Sequence, residues 1–307
     1  MSRARSTLVA SAAVVMLASA CGLLNKTNGT SSTPGVPDPQ NAILVSVPAD
    51  TVYVLDPESG AIAVVATGLT DFQSGYASWA PNHLRIAYGQ AGVQLTTATA
   101  ESTQTLVKGQ LISMPSWAAN GKQIAYGNGD GMFITSFGHK RPTRIFLPDT
   151  LAAFSFDWGQ GTTIAFEGLT LTCEGTPTCR STGQSDIYTI HSDGSGLRRL
   201  TRLTTASSPK WSADFSRLLF VRIVGRKHAQ KHQLWTIHAN GTGLARLTDA
   251  DNVVAADWSP DGTRLAEVRS VGQATNPQLQ VWVGDADGTG MRMVADGILG
   301  ADATVDW

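Results

Sequence analysis

Six tryptophans, Trp79, Trp117, Trp158, Trp211, Trp258 and Trp307, recur along the chain at intervals of 38 to 53 residues. Most of them open the same phrase. Its fullest copy is Trp258-Ser259-Pro260-Asp261-Gly262, followed by Thr263-Arg264-Leu265-Ala266, and weaker copies begin at Trp79, Trp117 and Trp211. Such a period is that of a four-stranded propeller blade. Within a repeat, an apolar segment ends at Trp and a tight turn follows. Next comes a strand such as 217–223, a variable loop, and a strand such as 233–238. A Gly-rich turn, Ala239-Asn240-Gly241-Thr242-Gly243, then leads into 244–248. Four short β-rich runs divided by turn signals read as an antiparallel meander. Ser259-Pro260-Asp261-Gly262 suits a type I turn, because Pro presets the first central torsion and Gly tolerates the exit.

The strands are apolar on both faces, as expected where each blade is sandwiched between two others. The repeated Trp reads as a wedge between blades, large and rigid, rather than as a platform for a cofactor or sugar. The two ends complete the ring. Residues 303–307 form a first strand lacking its other three, whereas 43–47, 51–55 and 61–65 form three strands lacking a first. One composite blade makes six and leaves no open edge between the ends. The expected fold is all-β, a six-bladed propeller of four-stranded antiparallel blades over residues 42–307.

Ahead of it, Met1-Ser2-Arg3-Ala4-Arg5 precedes an apolar stretch at 8–17 and then Ala18-Ser19-Ala20-Cys21. A basic start, a short apolar core and small residues before a cleavage point make a secretory signal over 1–20. The apolar run is too short to span a bilayer. Cys21 resembles the lipidated cysteine of a bacterial lipobox, although position −3 is Ala18 where Leu is usual. Ala18-Ser19-Ala20 also suits an ordinary signal peptidase, which would release the protein. Residues 21–41 are polar and Pro-rich with too little apolar surface to fold, and read as a tether. The expectation is export and lipid anchoring to a bacterial membrane, facing the periplasm or exterior.

Only two other cysteines are present. Cys173 and Cys179 are separated by five residues that include Gly and Pro, so in an oxidising compartment they fall within disulfide reach. Of the 23 basic residues, Arg3 and Arg5 leave with the signal, so 21 face 24 acidic ones in the mature chain. That balance, together with export, speaks against nucleic-acid binding.

The phrases Trp258-Ser-Pro-Asp-Gly-Thr-Arg-Leu-Ala266 and Asp285-Ala-Asp-Gly-Thr-Gly290 resemble the six-bladed propeller of the TolB family. The segment from Asp186 to Thr201 matches that family's blade ending. The resemblance covers roughly residues 43 to 307 and is specific for fold rather than function, since its residues build turns and wedges. It implies binding of proteins, peptides or glycans. The family's translocation member carries an α/β domain before its propeller, whereas here the tether leads straight into the blades.

Propeller geometry places the loops between second and third strands on one face, with the links between blades. The longest such loops, 168–185, 224–231 and 270–277, belong to three successive blades. Long loops on a rigid scaffold are where binding usually resides. The middle one carries Arg222, Arg226, Lys227, His228, Lys231 and His232, a basic patch suited to phosphate or carboxylate groups. The two histidines have no nearby acid or thiol in sequence, and no metal is expected. A second candidate is the channel, where the residues preceding each Trp are Ser78, Ser116, Asp157, Lys210, Asp257 and Asp306. No nucleophile elbow and no zinc-protease helix motif is present. The sequence reading is therefore a monomeric, cofactor-free binding or scaffolding module at the cell envelope, for a protein, peptide or glycan. The alternative is a hydrolase or lyase whose residues gather from several blades at the channel mouth.

Overall fold

A computed structural model describes residues 37–47, 51–67, 76–109, 112–128, 131–138, 141–173, 179–226, 229–273 and 276–307. Cys21 and the expected signal peptide lie outside them. The described strands form six antiparallel sheets of four. Blade 1 is composite: β24 (Thr304–Asp306) pairs with β1 (Ile43–Val47), followed by β2 (Thr51–Leu55) and β3 (Ile62–Thr67). Its register sets Leu44 opposite Asp306 and Ser46 opposite Thr304. Blade 2 comprises β4 (Ala77–Trp79), β5 (Ile86–Gly89), β6 (Gly92–Thr96) and β7 (Gln104–Lys108). Blade 3 comprises β8 (Ile112–Trp117), β9 (Gln123–Asn128), β10 (Gly131–Ser136) and β11 (Thr143–Ile145). Blade 4 holds β12 (Leu151–Trp158), β13 (Thr163–Thr172), β14 (Arg180–His191) and β15 (Arg198–Arg199). Blade 5 holds β16 (Ala206–Trp211), β17 (Arg217–Val224), β18 (Lys231–His238) and β19 (Ala245–Arg246). Blade 6 holds β20 (Val253–Trp258), β21 (Arg264–Gln273), β22 (Asn276–Asp285) and β23 (Arg292–Leu299).

The core is divided into six apolar layers, one between each pair of adjacent blades. Alternation along a strand explains this, because successive side chains point to opposite faces. In β17, Leu218 and Phe220 face blade 4 while Leu219 faces blade 6. The repeated turn obeys one rule. Its closing position has a left-handed backbone in five copies: Gly121, Gly161 and Gly262 (φ 64°, 64°, 70°), but also His83 (φ 52°) and Phe215 (φ 55°). Left-handed φ favours Gly, so the two rings hold an otherwise unfavourable conformation.

The tether expected to run to Asn41 is already ordered from Pro37, which is buried. Polar contacts account for the difference. Gln40 donates to the Asn82 carbonyl at 3.1 Å, the Pro39 carbonyl lies 2.8 Å from His83 Nδ1, and Arg264 donates to Asn41 Oδ1 at 2.8 Å. Beside this segment, Glu58 of blade 1 bridges Arg264 and Arg292 of blade 6, and the Arg264 guanidinium lies 4.6 Å above the Trp307 ring. The seam of the ring is thus fastened by strand pairing and by an ionic clasp.

Candidate functional site

In four of the six repeats the side chain before the Trp accepts the backbone N–H of the next repeat's Trp. Asp306 accepts the Trp79 backbone N–H at 2.6 Å, Ser116 that of Trp158 at 2.9 Å, and Asp157 that of Trp211 at 2.6 Å. Asp257 makes the same contact with Trp307 at 3.4 Å. Lys210 interrupts the pattern, since an ammonium has no acceptor. The Trp258 N–H turns instead to Asp257 Oδ1 at 2.8 Å, and Lys210 Nζ donates to Asp257 at 2.9 Å and to Asp306. Burial raises the pKa of Asp157 and Asp257 against the opposing pull of Lys210. Burial works against the Lys210 ammonium too, yet the three carboxylates hold its pKa above the usual range. The six channel candidates are thus brought together, and five of them form a relay between blades. Ser78 is buried with no hydrogen-bond partner for its hydroxyl. Ser78, Ser116, Lys210 and Asp306 line a cavity of about 50 Å³, room for a few waters but not for a sugar ring.

Nearer the start of the inner strands lies a group that motif reading missed. Glu167 of β13 stands where the other elaborated blades carry Val221 and Val268. The Ser155 hydroxyl donates to it at 3.4 Å, and Ser185 and the Ser208 backbone N–H also serve it. Ser155 and Ser208 sit on bulges with left-handed backbones (φ 46° and 53°). Burial, aided by the negative charge of Asp302, lifts Glu167 to about 7 despite those hydrogen bonds. Asp302 is itself raised by burial, with His232 opposing, and burial pushes Tyr76 up to about 12. A charged residue in an otherwise apolar strand position was the available signal. Only alignment of the second strands would have found it.

The expected long loops are extensions of strands. β13 and β14 form a hairpin that runs to Thr172 and Arg180, with Cys173 and Cys179 joined by a disulfide beyond its end, Cα atoms 4.3 Å apart. β21 and β22 pair as far as Gln273 and Asn276. The described basic residues of the middle hairpin have different surroundings. Lys231 pairs with Asp251 at 2.5 Å, and Gln233 and Arg246 bond the same carboxylate at 2.7 and 3.1 Å. Arg222 stacks 4.6 Å over Trp235, as Arg269 does 4.3 Å over Trp282. Arg226 is exposed, His232 bridges to Asn252, and Lys227 and His228 lie outside the described residues. Among the described residues no group of three or more His, Cys, Asp or Glu is arranged to hold a metal ion.

No family model matches the sequence, and no curated protein does. Solved structures do match in fold. A structure assigned as TolB from Agrobacterium tumefaciens superposes with a TM-score of 0.62 at 14% identity, over 84% of this chain and 90% of that one. A chain of the nidogen/laminin complex gives 0.60 at 10% identity, over 86% and 97%. An oligogalacturonate lyase from Vibrio parahaemolyticus gives 0.50 at 8% identity, over 82% and 73%. The likeness is one of fold. A β-propeller is what these structures share with this chain, and in this chain it has six blades.

Proposed function

We propose that this protein is a lipid-anchored, extracytoplasmic β-propeller that binds a protein or other envelope ligand through its hairpin face. One observation carries the reading. The channel carboxylates are occupied by backbone N–H groups and Lys210, and the cavity that Asp306 and Lys210 help to line is only about 50 Å³, whereas three successive blades raise long hairpins beside one another. Binding through loops on a rigid scaffold follows. The nidogen/laminin neighbour is a propeller within a protein complex, which agrees with that use at the level of fold. Cross-linking in cells tests it, comparing the intact protein with a variant whose 168–185 hairpin is shortened. A defined partner lost from the variant is the expected result. Unchanged capture sinks the hairpin face as the site. Anchoring is tested by Cys21→Ser, which should move the protein from membranes to the soluble fraction.

A second reading rests on Glu167, which burial and the charge of Asp302 lift to about 7 and whose carboxylate accepts from Ser155. Such a group suits general acid–base chemistry, and the lyase neighbour shares the fold. Turnover of an envelope glycan that vanishes in Glu167→Gln would favour it.

A further inference from the structure

One of the six repeat tryptophans is unlike the rest. Trp79, Trp117, Trp158, Trp258 and Trp307 are buried, whereas Trp211 is partly exposed. The other five indole N–H groups reach backbone carbonyls at 3.1 to 3.3 Å. The Trp211 N–H is buried without a partner and lies against Gly159.

Four of the five buried rings carry a side chain laid upon them. Arg217, the first residue of the second strand in blade 5, lies 5.0 Å over Trp258, and its counterpart Arg264 lies 4.6 Å over Trp307. His83 stacks on Trp79 and Phe137 on Trp117, with ring planes within 12° and 21° of parallel. At the equivalent place before Trp211 stands Thr163, which is too short to reach across the furrow between blades 4 and 5. Phe215, held in its left-handed turn, meets Trp211 edge-on at 61° instead of lying flat upon it.

The furrow so left open has a volume of about 360 Å³ on the face of the tight turns, at the small end of ligand sites. Gln160, Thr163, Thr189, His191 and Arg198 line it beside the two aromatic rings, and no carboxylate does. Arg198 donates to the Ala239 and Asn240 carbonyls and has no ion-pair partner among the described residues. His191 Nδ1 lies 3.4 Å from Thr162 Oγ1. The nearby Asp193 is turned into its own loop, where Ser195 donates to it twice, at 2.9 and 2.7 Å. An uncovered aromatic face takes the C–H face of a ring, planar polar side chains take hydroxyls, and an uncompensated guanidinium takes an acid. We infer that the furrow between blades 4 and 5 binds an acidic sugar residue, its ring laid on Trp211 and its acid group directed to Arg198.

The test uses the folded chain with ¹⁵N-labelled indoles, one resonance for each of its eight tryptophans. Trp211→Phe assigns the resonance of interest. Methyl glucuronide and methyl glucoside differ at the acid group alone, and each is titrated to concentrations in the millimolar range, where weak sites fill. The glucuronide is expected to move the Trp211 resonance and leave the others, with the glucoside roughly tenfold weaker. Thr163→Arg should lay a guanidinium over Trp211, as blades 5 and 6 do, and abolish the shift while the other seven resonances and the melting temperature hold. Arg198→Gln should erase the preference for the acid. No shift in the unaltered protein, equal affinity for the two sugars, or a shift that survives Thr163→Arg overturns the inference. Loss of hairpin-face partners would leave this site untouched, so the two proposals fail separately.

Discussion

Blades 2 and 3 differ from blades 4 to 6 although all five end their first strand on the repeated Trp. In blades 2 and 3 the second and third strands join just beyond the Gly89–Val93 and Asn128–Gly131 pairings, and the residues before Trp are Ser78 and Ser116. In blades 4 to 6 the hairpins lengthen and those residues become Asp157, Lys210 and Asp257. Ser116 and the carboxylates are alike in purpose, since each accepts the next Trp N–H, while the Ser78 hydroxyl makes no such contact. What changes is charge. A serine does this work neutrally, whereas each carboxylate brings a buried charge that needs Lys210. The first sector is scaffold; the second is scaffold carrying added surface.

The largest way to break the comparison acts on neither sector but on the seam that closes them. Deleting 303–307 removes β24, Asp306 and the buried Trp307, and losing one such aromatic alone costs about 3–5 kcal/mol. Chemical denaturation should show a lost or broadened transition; an unchanged one would remove the closure from the account. Lys210→Met comes next. It leaves two paired carboxylates buried without their cation, which costs about 3–5 kcal/mol, against about 1–3 kcal/mol for Ser116→Ala in the neutral sector. Equal losses would erase the distinction between the sectors.

Glu167 sharpens it through pH. Its folded pKa of about 7 lies above its ordinary 4.5, so the native state holds the proton more firmly than the unfolded chain. Its contribution is therefore fully present below about 4.5 and is lost as pH rises to about 7. Stability of the unaltered protein should fall across that window, and Glu167→Gln should flatten the slope; identical profiles would contradict the assignment. Opening the hairpin bond with Cys173→Ser should cost about 2 kcal/mol, read as faster proteolysis near 173–179 rather than as global unfolding. The smallest effect belongs to Glu58→Gln at the exposed clasp, below about 1 kcal/mol and fading with salt.

The repeat was legible because its turn chemistry is local. Ser259-Pro260-Asp261-Gly262 dictates a backbone wherever it occurs, and Asp261 accepts its hydrogen bonds from Ser259 and Thr263 within the same turn. The residues of the channel were legible too, since each precedes a Trp. Their use was not, because which N–H a carboxylate meets depends on the next blade, 50 to 54 residues on. In the basic run from Arg222 to His232, the pairing of Lys231 was hidden for the same reason: its partner Asp251 comes from the link out of the blade.

The sequence by itself determined the number of blades, their strand order and the composite closure, all consequences of short-range period and turn geometry. Only the tertiary structure decided which tryptophan stays uncovered. Trp211 carries the same local phrase as the others, and its exposure depends on Phe215 meeting it edge-on together with the short Thr163 of the neighbouring blade. Periodicity specifies the elements; the width of a furrow is set by two side chains that meet only after the ring has closed.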